Sequence, residues 1–333
     1  MNAKKLTDIL AQEPKFRLKQ IKRALFFDLV DDWNKVTTLP LELREKLKRD
    51  CPLDIDAKIL ISKDKQSVKA CIDLSDGLQV ETVLMKHKGK TERNSICVST
   101  QVGCALGCKF CATGIMGLKR NLEAMEIVEQ VLFFARYLKS NKEKITNIVL
   151  MGMGEPFLNY DNVMEAVRIL NGADGFGFGA RRISISTVGI IEGIEKLIKE
   201  KIEINLAISL HAPNDEIREK IMPVNNKYSI KKILQAVDKY ISATNRKVMF
   251  EYVMLNNVND SDECASELAK IMNKPLYMVN LVSCNETGIF KASSPQRIKR
   301  FREILEKNKV AVTQRYRFGD DIKAACGQLA TNK

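Results

Sequence analysis

The stretch Cys104-Ala105-Leu106-Gly107-Cys108-Lys109-Phe110-Cys111 places three cysteines at a C-x3-C-x2-C spacing. The alanine and the glycine between the first two cysteines let the backbone wrap tightly enough for the three sulfurs to converge. Three thiolates on one short loop can hold three irons of a [4Fe-4S] cluster and leave the fourth iron open. An open coordination position is typical of a catalytic metal site, whereas full ligation favours a structural or electron-transfer role. The loop therefore predicts Cys104, Cys108 and Cys111 as ligands of a reactive cluster.

Two other interpretations of these cysteines explain less of the sequence. A disulfide framework fits poorly, because nine cysteines in 333 residues without a secretory signal are typical of a reducing compartment. Structural zinc needs a second cysteine or histidine pair shortly after Cys111, and the only histidines, His87 and His211, lie far away in sequence. We therefore favour the cluster.

The composition is that of a globular protein with an excess of positive charge. The 333 residues suffice for one large α/β domain and a smaller appendage, and they are 45% hydrophobic and 29% charged. The net charge of +13 makes nucleic acid the first candidate partner, although charge alone leaves open a basic surface that serves only solubility. Because no apolar run approaches the roughly 20 residues that span a bilayer, and Met1–Leu10 lacks the core of an export signal, we expect a cytoplasmic protein.

Two accessory segments are predicted before residue 95. Residues 1–50 show apolar side chains at helical spacing with lysines and arginines between them, which predicts a small helical domain. Its basic face is either simply solvated or docks RNA. From about Lys58 the apolar period changes to two, so residues 51–94 predict a β-extension of short antiparallel strands. The expected elements of the two segments are a helix at Leu41–Lys48 and strands at Ile59–Ile61, Val68–Leu74 and Gln79–Leu84.

In residues 95–333, strand patterns alternate with helix patterns. The candidate strands are Ile96–Thr100, Asn147–Met151, Arg182–Thr187, Ile204–Ser209, Val248–Leu255 and Tyr277–Val282. The candidate helices are Glu123–Tyr137, Asp161–Leu170, Ile191–Glu200, Ile230–Tyr240, Ser261–Met272 and Gln296–Asn308. This alternation favours parallel β/α units, and six units predict an α/β fold with an open, partial (β/α)6 barrel. Functional residues of such folds follow the strand C-termini, as the cysteine loop does after the first strand.

Polar side chains also follow the next strands of this predicted barrel. In the turn Met151–Pro156 two glycines let a ligand approach the backbone, and Glu155 can accept hydrogen bonds from an ammonium group. Such a turn alone is usually only a tight turn, but beside a cluster loop it indicates the amino end of S-adenosylmethionine (SAM). The third strand ends near Ser186 and the fourth in Ser209-Leu210-His211, which offer hydroxyls and a ring nitrogen. For His211 the alternative is a capping or core histidine, and its place at a strand end favours ligand contact.

Two cysteines outside the loop have open interpretations. Cys326 stands among small residues, after Ala324 and Ala325 and before a glycine, which would leave its sulfur accessible to a substrate. The alternative is a small buried thiol, the commoner role of a lone cysteine. Cys97 is equally ambiguous from its sequence context.

Taken together, these motifs carry a family resemblance. Cys97–Cys104, the C-x3-C-x2-C loop, the turn Met151–Pro156 and the tail Asp321–Leu329 closely resemble the RlmN/Cfr family of radical-SAM RNA methyltransferases. The loop alone indicates only a radical-SAM enzyme, whereas the cysteine in the tail is far more specific. The resemblance begins at Val80–Val83, runs along nearly the whole chain, and implies a partial (β/α)6 radical-SAM barrel with an N-terminal helical domain.

The resemblance implies a role for each matching residue. Cys104, Cys108 and Cys111 would ligate the cluster, with SAM on the open iron. Cys326 matches the cysteine that becomes S-methylated, and Cys97 matches the cysteine that resolves the covalent adduct. Glu81 matches the carboxylate assigned as proton acceptor. The SAM-contacting positions are matched by Gly154, Glu155, Ser186, Ser209, Leu210, His211 and Asn285.

The family's chemistry explains why two extra cysteines are needed. Carbon 2 of adenine is not a nucleophile, so direct transfer of a methyl cation from SAM fails. The resemblance implies that one SAM methylates Cys326 and a second is cleaved to a 5′-deoxyadenosyl radical, which removes hydrogen from the S-methyl group. The carbon radical then adds to the adenine and forms a protein–RNA adduct. Proton removal and attack by Cys97 on Cys326 would release methylated RNA and leave a disulfide that must be reduced.

Within the family two activities are distinguished. RlmN-type enzymes methylate adenine carbon 2 in 23S rRNA and in some tRNAs, whereas Cfr-type enzymes methylate carbon 8 of the same rRNA adenine and confer antibiotic resistance. The segments Gly154–Pro156 and Asn159–Val163 resemble RlmN, while Phe318-Gly319 and Gly117–Lys119 resemble Cfr, and we favour RlmN. We also expect an electron donor such as flavodoxin or ferredoxin, and a monomer by default.

Two other function classes stay open. A radical-SAM enzyme acting on a small molecule or peptide would not need Cys97 and Cys326 together, and it would leave the charge of +13 unexplained. A non-catalytic RNA-binding protein with a structural cluster predicts that loss of Cys326 leaves function unchanged.

Overall fold

One ten-stranded sheet organises the computed structural model, which describes residues 3–87, 92–285, 289–315 and 318–331. Its strands are β1 (Ala57–Ile61), β2 (Ser67–Asp73), β3 (Gln79–His87), β4 (Arg93–Cys97), β7 (Asn147–Leu150), β8 (Ile183–Thr187), β9 (Asn205–Ser209), β10 (Val248–Met254), β11 (Tyr277–Ser283) and β12 (Val312–Gln314). Two further strands, β5 (Gln101–Gly103) and β6 (Leu118–Asn121), form a separate antiparallel pair.

The large sheet combines an antiparallel part with a parallel part. The spatial order is β1-β2-β3-β4-β7-β8-β9-β10-β11-β12. Strands β1 to β4 pair antiparallel, and every neighbouring pair from β4 to β12 is parallel. This arrangement confirms the predicted α/β fold with an open, partial barrel. Because β4 belongs to both parts, the sheet continues without interruption across residue 94, where the sequence predicts the β-extension to end. The division of the chain into three segments stays a prediction.

A seventh parallel strand extends the predicted six. β12 has only three residues, and they are half-buried or exposed. Its sequence, Val312-Thr313-Gln314, has no apolar run, so nothing in it predicts a buried strand.

The helices are α1 (Ala3–Leu10), α2 (Lys15–Phe26), α3 (Leu41–Asp50), α4 (Ala112–Ile115), α5 (Ala124–Lys139), α6 (Tyr160–Asn171), α7 (Ile191–Lys199), α8 (Asp215–Ile221), α9 (Ile230–Thr244), α10 (Asp262–Met272) and α11 (Pro295–Lys307). All six predicted barrel helices form, and each begins within one residue of its predicted start. Caps fix several of these starts: Glu123 forms a capping box with Glu126, and the hydroxyl of Ser261 accepts a hydrogen bond from the amide of Cys264. The helices α4 and α8 are too short to show an apolar period, and the sequence did not indicate them. None of the helices in the described ranges is long and apolar enough to cross a membrane.

The N-terminal segment packs around a buried tryptophan and is fastened to the barrel by an arginine. Trp33, between α2 and α3, is 1% exposed, and its indole nitrogen donates to the carbonyl of Cys51 at 2.7 Å. Truncation of a tryptophan buried to this degree costs about 3–5 kcal/mol. Arg136 of α5 donates to the carbonyls of Leu53 and Val30. These contacts place the basic helix α2 on the same body as the barrel.

Candidate active site

The cysteine loop follows β5 and is held by backbone hydrogen bonds to three other segments. The amides of Cys104, Lys109 and Ala112 donate to the carbonyls of Gly117, Ile221 and Gly327 at 3.1, 2.9 and 2.8 Å. Gly103, directly before the loop, has a φ of +81°, and a Cβ there would lie 1.8 Å from the Gly117 carbonyl oxygen. Only glycine fits this position, so the path of the loop is fixed directly before Cys104.

The three cysteines of the loop line one cavity at the mouth of the barrel. This cavity has an empty volume of about 1080 Å³, and all nine cysteines of the chain are free thiols. Burial raises the pKa of Cys104 to about 11 and also raises that of Cys108. Both are therefore protonated at neutral pH until a metal displaces the protons.

This set of donors fits an iron–sulfur cluster better than a single ion. Across residues 3–87, 92–285, 289–315 and 318–331, no three histidine, cysteine or acidic side chains converge as the ligands of one metal ion do. A four-iron cluster is larger than one ion, and its thiolate ligands stand further apart around it. The cavity supplies that space, and Cys104, Cys108 and Cys111 all line it.

Most of the residues predicted to contact SAM line the same cavity. They are Gly154, Glu155, Ser186, Ser209, His211 and Asn285. The hydroxyl oxygens of Ser186 in β8 and Ser209 in β9 lie 3.3 Å apart, because parallel strands end at one edge of the sheet. The Leu210 side chain is fully buried and does not line the cavity, so a contact from it to a ligand would involve its backbone.

Glu155 presents a buried carboxylate to this cavity. Its two oxygens accept hydrogen bonds from the amides of Phe157 and Val188 at 3.0 and 2.9 Å. The residue as a whole is 3% exposed. Burial raises the pKa of Glu155 to about 7, although hydrogen bonds from the Thr187 hydroxyl and the two amides act in the opposite direction. An ammonium group at this position would compensate the carboxylate charge.

His211 is a neutral hydrogen-bond donor in this site. Its Nδ1 accepts from the amide of Val253 at 3.1 Å, so in the neutral ring the proton is on Nε2. Burial, and to a smaller extent the nearby positive charge of Arg218, lower the pKa of His211 to about 3. The ring packs edge-on against Phe110 of the cysteine loop with centroids 5.0 Å apart.

Asn285 links the cavity to the C-terminal segment. Its Nδ2 donates to the carbonyl of Cys326 at 2.9 Å. Its Oδ1 is buried and has no partner among the described residues. An unpaired buried acceptor that borders a cavity is suited to a donor on a bound molecule.

The two other predicted cysteines share a second, narrower cavity next to the first. Cys97 and Cys326 both line it, and Cys326 lines the first cavity as well, to which it is exposed. Burial raises the pKa of Cys97 to about 12 and also raises that of Cys326. The positive charge of Arg315, which lines both cavities, acts in the opposite direction on both thiols.

Sequence reasoning missed Arg315 and Glu251 as members of this site. Arg315 follows β12 and lies with Nη2 3.4 Å from the sulfur of Met151. Glu251 lies in β10, lines the first cavity and accepts from Asn280 at 2.8 Å, and burial raises its pKa. A single carboxylate within the otherwise apolar strand Val248–Met254 was the available signal for Glu251.

The structure does not bring Glu81 into either cysteine cavity. Glu81 lies in β3 and borders a separate groove, where its Oε1 is 2.9 Å from Lys69 Nζ and its Oε2 accepts from the amide of Ala330 at 3.0 Å. The C-terminal segment separates the two spaces: Cys326, Gly327 and Leu329 line the first cavity, while Gln328 and Ala330 line the groove.

Comparisons with known proteins identify the family. The model of the Radical SAM superfamily matches residues 98–268. The chain is 45% identical to "Ribosomal RNA large subunit methyltransferase N" of Nitrosopumilus maritimus, across 96% of this chain and 93% of that protein. It is 43% identical to "Probable dual-specificity RNA methyltransferase RlmN" of Dictyoglomus thermophilum, across 95% and 91% of the two chains. A crystal structure of a radical SAM methyltransferase from Sphaerobacter thermophilus superposes with a TM-score of 0.93 at 43% identity, covering 97% of this chain and 96% of that one. The chain therefore belongs to the RlmN family of radical SAM RNA methyltransferases.

Proposed function

We propose that this enzyme methylates carbon 2 of an adenine in 23S rRNA and also in tRNA, with Cys326 as the carrier of the methyl group. The observation that carries the proposal is the shared cavity of Cys97 and Cys326, which adjoins the cavity of Cys104, Cys108 and Cys111. One relative is named as a ribosomal RNA methyltransferase and another as a dual-specificity RNA methyltransferase, which supports ribosomal RNA and a second RNA class as substrates. The net charge of +13 suits a polyanionic substrate.

In the proposed site, Cys104, Cys108 and Cys111 hold a [4Fe-4S] cluster, and Glu155 and Asn285 receive the amino end of SAM. Glu155 offers a buried carboxylate and Asn285 an unpaired carbonyl oxygen, both of which suit an ammonium group. When bound and reduced by a carrier such as flavodoxin or ferredoxin, the cluster with SAM supplies a carbon radical able to remove hydrogen from a methyl group. The barrel walls keep water away from that chemistry.

Cys326 is the first reacting group of this chain. Its sulfur loses a proton and accepts a methyl group as a thioether, in a cavity where Arg315 favours the thiolate. The adduct formed when the methylene radical bonds to the adenine must lose one electron, which the oxidised cluster would take up, and a ring proton, which a carboxylate must remove. We assign that role to Glu81, which requires the segment from Cys326 to Ala330 to move aside, because this segment separates Glu81 from the cavity.

Cys97 completes the cycle. Its thiolate attacks the sulfur of Cys326, an S–S bond forms, and the bond from sulfur to the methylene carbon breaks. The electron pair of that bond stays on carbon, which takes up a proton and becomes the methyl group. A dithiol reductant then restores both thiols, which is the state of this structure.

The test compares three single variants with the wild-type enzyme acting on RNA. We expect no methylated RNA from Cys326→Ala and RNA covalently trapped on Cys97→Ala. The matched control is Cys264→Ala, since Cys264 lies in α10 and lines neither cavity, and we expect activity from it. Only free RNA with the Cys97→Ala variant would refute the two-cysteine mechanism.

Methylation of carbon 8 is the alternative, and it rests on the resemblance of Phe318-Gly319 to Cfr-type chains. Phe318 belongs to that segment and lines the cavity of Cys97 and Cys326. Its ring packs edge-on against His87, with the ring centroids 4.5 Å apart. Mass spectrometry of the modified adenosine, against synthetic 2-methyl and 8-methyl standards, distinguishes the two products.

A further inference from the structure

A buried ion pair lies in the antiparallel part of the sheet, away from the cysteine cavities. It joins Lys69 in β2 to Glu81 in β3, with 2.9 Å between Nζ and Oε1, and the two side chains are 9% and 7% exposed. Removal of two charges from water is costly, and such a pair persists only where the remaining polar atoms are hydrogen-bonded.

The remaining polar atoms of both side chains bind the C-terminal segment. Lys69 Nζ donates to the carbonyl of Lys323 at 3.2 Å, and Glu81 Oε2 accepts from the amide of Ala330 at 3.0 Å. Lys323 and Ala330 flank Cys326 on either side. One ion pair therefore holds both ends of the loop that carries the methyl-accepting sulfur.

The middle of this loop is held from the opposite side. The amide of Ala112 donates to the carbonyl of Gly327 at 2.8 Å, and the hydroxyl of Thr113 donates to the carbonyl of Leu329 at 2.5 Å. Asn285 donates to the carbonyl of Cys326 itself. The sulfur is thus placed by two sets of contacts, one next to the cluster loop and one on the sheet.

We propose that Lys69 and Glu81 form a clamp that positions Cys326 to accept the methyl group, and that Lys69 is a positioning residue for this step. In the step, Cys326 Sγ releases its proton to solvent and bonds to the methyl carbon, while the bond from that carbon to the sulfonium sulfur breaks and leaves a neutral thioether. Such a displacement needs the two sulfurs and the carbon in line, so a shift of about 1 Å in the loop slows it by up to about a hundredfold. The inference rests on the proposed function, because it concerns methylation of Cys326.

Three variants remove the clamp. Lys69→Met and Glu81→Met each delete one tail contact but leave a buried charge unpaired. The double variant Lys69→Met/Glu81→Met deletes both contacts without leaving such a charge, so we expect it to keep the fold. Lys58→Met is the matched control, since Lys58 is exposed in β1 and borders the same groove, with no hydrogen bond or ion pair to the tail among the described residues.

Two measurements separate positioning from later steps. Hydrogen exchange of the cofactor-free protein reports on the tail, and we expect the amide of Ala330 to exchange at least about tenfold faster in the double variant than in the wild type or the control. Mass spectrometry of Cys326 after incubation of the loaded enzyme with SAM, without RNA, reports methyl acceptance. We expect it to slow by at least about tenfold in the double variant.

Unchanged tail exchange together with unchanged methylation of Cys326, in a double variant that unfolds at the wild-type temperature, would overturn the clamp. If the double variant does not fold, Lys69→Arg and Lys69→Gln decide: the arginine is expected to keep tail protection and methylation, and the glutamine is not. Equal behaviour of these two also overturns the proposal. Absence of Cys326 methylation in the wild type would instead refute the proposed function, while exchange at Ala330 would still test the clamp.

Discussion

The buried carboxylate of Glu155 should make the stability of the cofactor-free protein depend on pH. Its pKa is raised from the ordinary 4.5 to about 7, chiefly by burial. Because the folded protein binds this proton more tightly than the unfolded chain, the contribution is fully present below pH 4.5 and is lost as pH rises through 7. At 1.36 kcal/mol for each pKa unit, the whole effect is about 3 kcal/mol, of which about 2.5 kcal/mol falls between pH 5 and pH 8.5.

The substitution Glu155→Gln removes the titrating group and keeps its shape. Urea unfolding at pH 5 and at pH 8.5 measures the effect, and we expect the wild type to lose about 2.5 kcal/mol more than the variant over this interval. His211 titrates in the opposite sense: its pKa is lowered to about 3, so its contribution is lost as pH falls below 6.5. That contribution is common to both chains and cancels in the difference.

Glu303→Gln is the control for Glu155→Gln, because Glu303 lies exposed on α11. It should leave the pH dependence of unfolding as it is in the wild type. Equal pH dependence in wild type and Glu155→Gln would refute the conclusion that burial dominates over the three hydrogen bonds to the carboxylate.

Three further predictions follow from single positions. Gly103→Ala should lower the iron bound by each chain after reconstitution, because its Cβ would lie 1.8 Å from a carbonyl oxygen; Gly77→Ala, with a similar φ of +78° but no atom within 4 Å, should bind iron as the wild type does. Arg218→Met should lower the free energy of unfolding by about 3–5 kcal/mol, because this buried guanidinium donates to the carbonyls of Leu210, Val188 and Tyr228; Arg302→Met, on the exposed side of α11, should cost less than about 1 kcal/mol in the same urea titration. Cys97, with its pKa raised to about 12, should react with iodoacetamide about tenfold faster for each pH unit between 8 and 10, and a rate that levels off near pH 9 would contradict this.

The barrel could be predicted from sequence because its signals are local. Apolar spacing and capping residues predict the start of each barrel helix to within one residue, as Glu123 does for α5. The rule that functional side chains follow parallel strands also predicts that Ser186 and Ser209 lie together, and their hydroxyl oxygens are 3.3 Å apart. Local patterns of this kind do not depend on distant segments.

The remaining parts of the site arise from contacts between distant segments. Arg315 reaches the cysteines only because β12 pairs with β11, and nothing in Val312–Gln314 indicates a buried strand. Resemblance supplied a role for Glu81 but not its neighbours, Lys69 and the amide of Ala330. A single sequence shows which residue types are present, whereas burial and pairing across 250 positions depend on the finished fold.

The contacts of the C-terminal segment have a consequence for the order of folding. The amide of Lys63 donates to Asp321, and Glu81 accepts from Ala330, so these hydrogen bonds join residues 258 and 249 positions apart. Contacts between residues so far apart in sequence form late, because closing the long loop between them costs conformational entropy. During synthesis the barrel strands can pair long before residue 326 has been added. Cys326, the proposed methyl acceptor, is therefore the last part of the candidate site to be assembled. In refolding experiments, protection of the Ala330 amide should appear after that of the barrel strands.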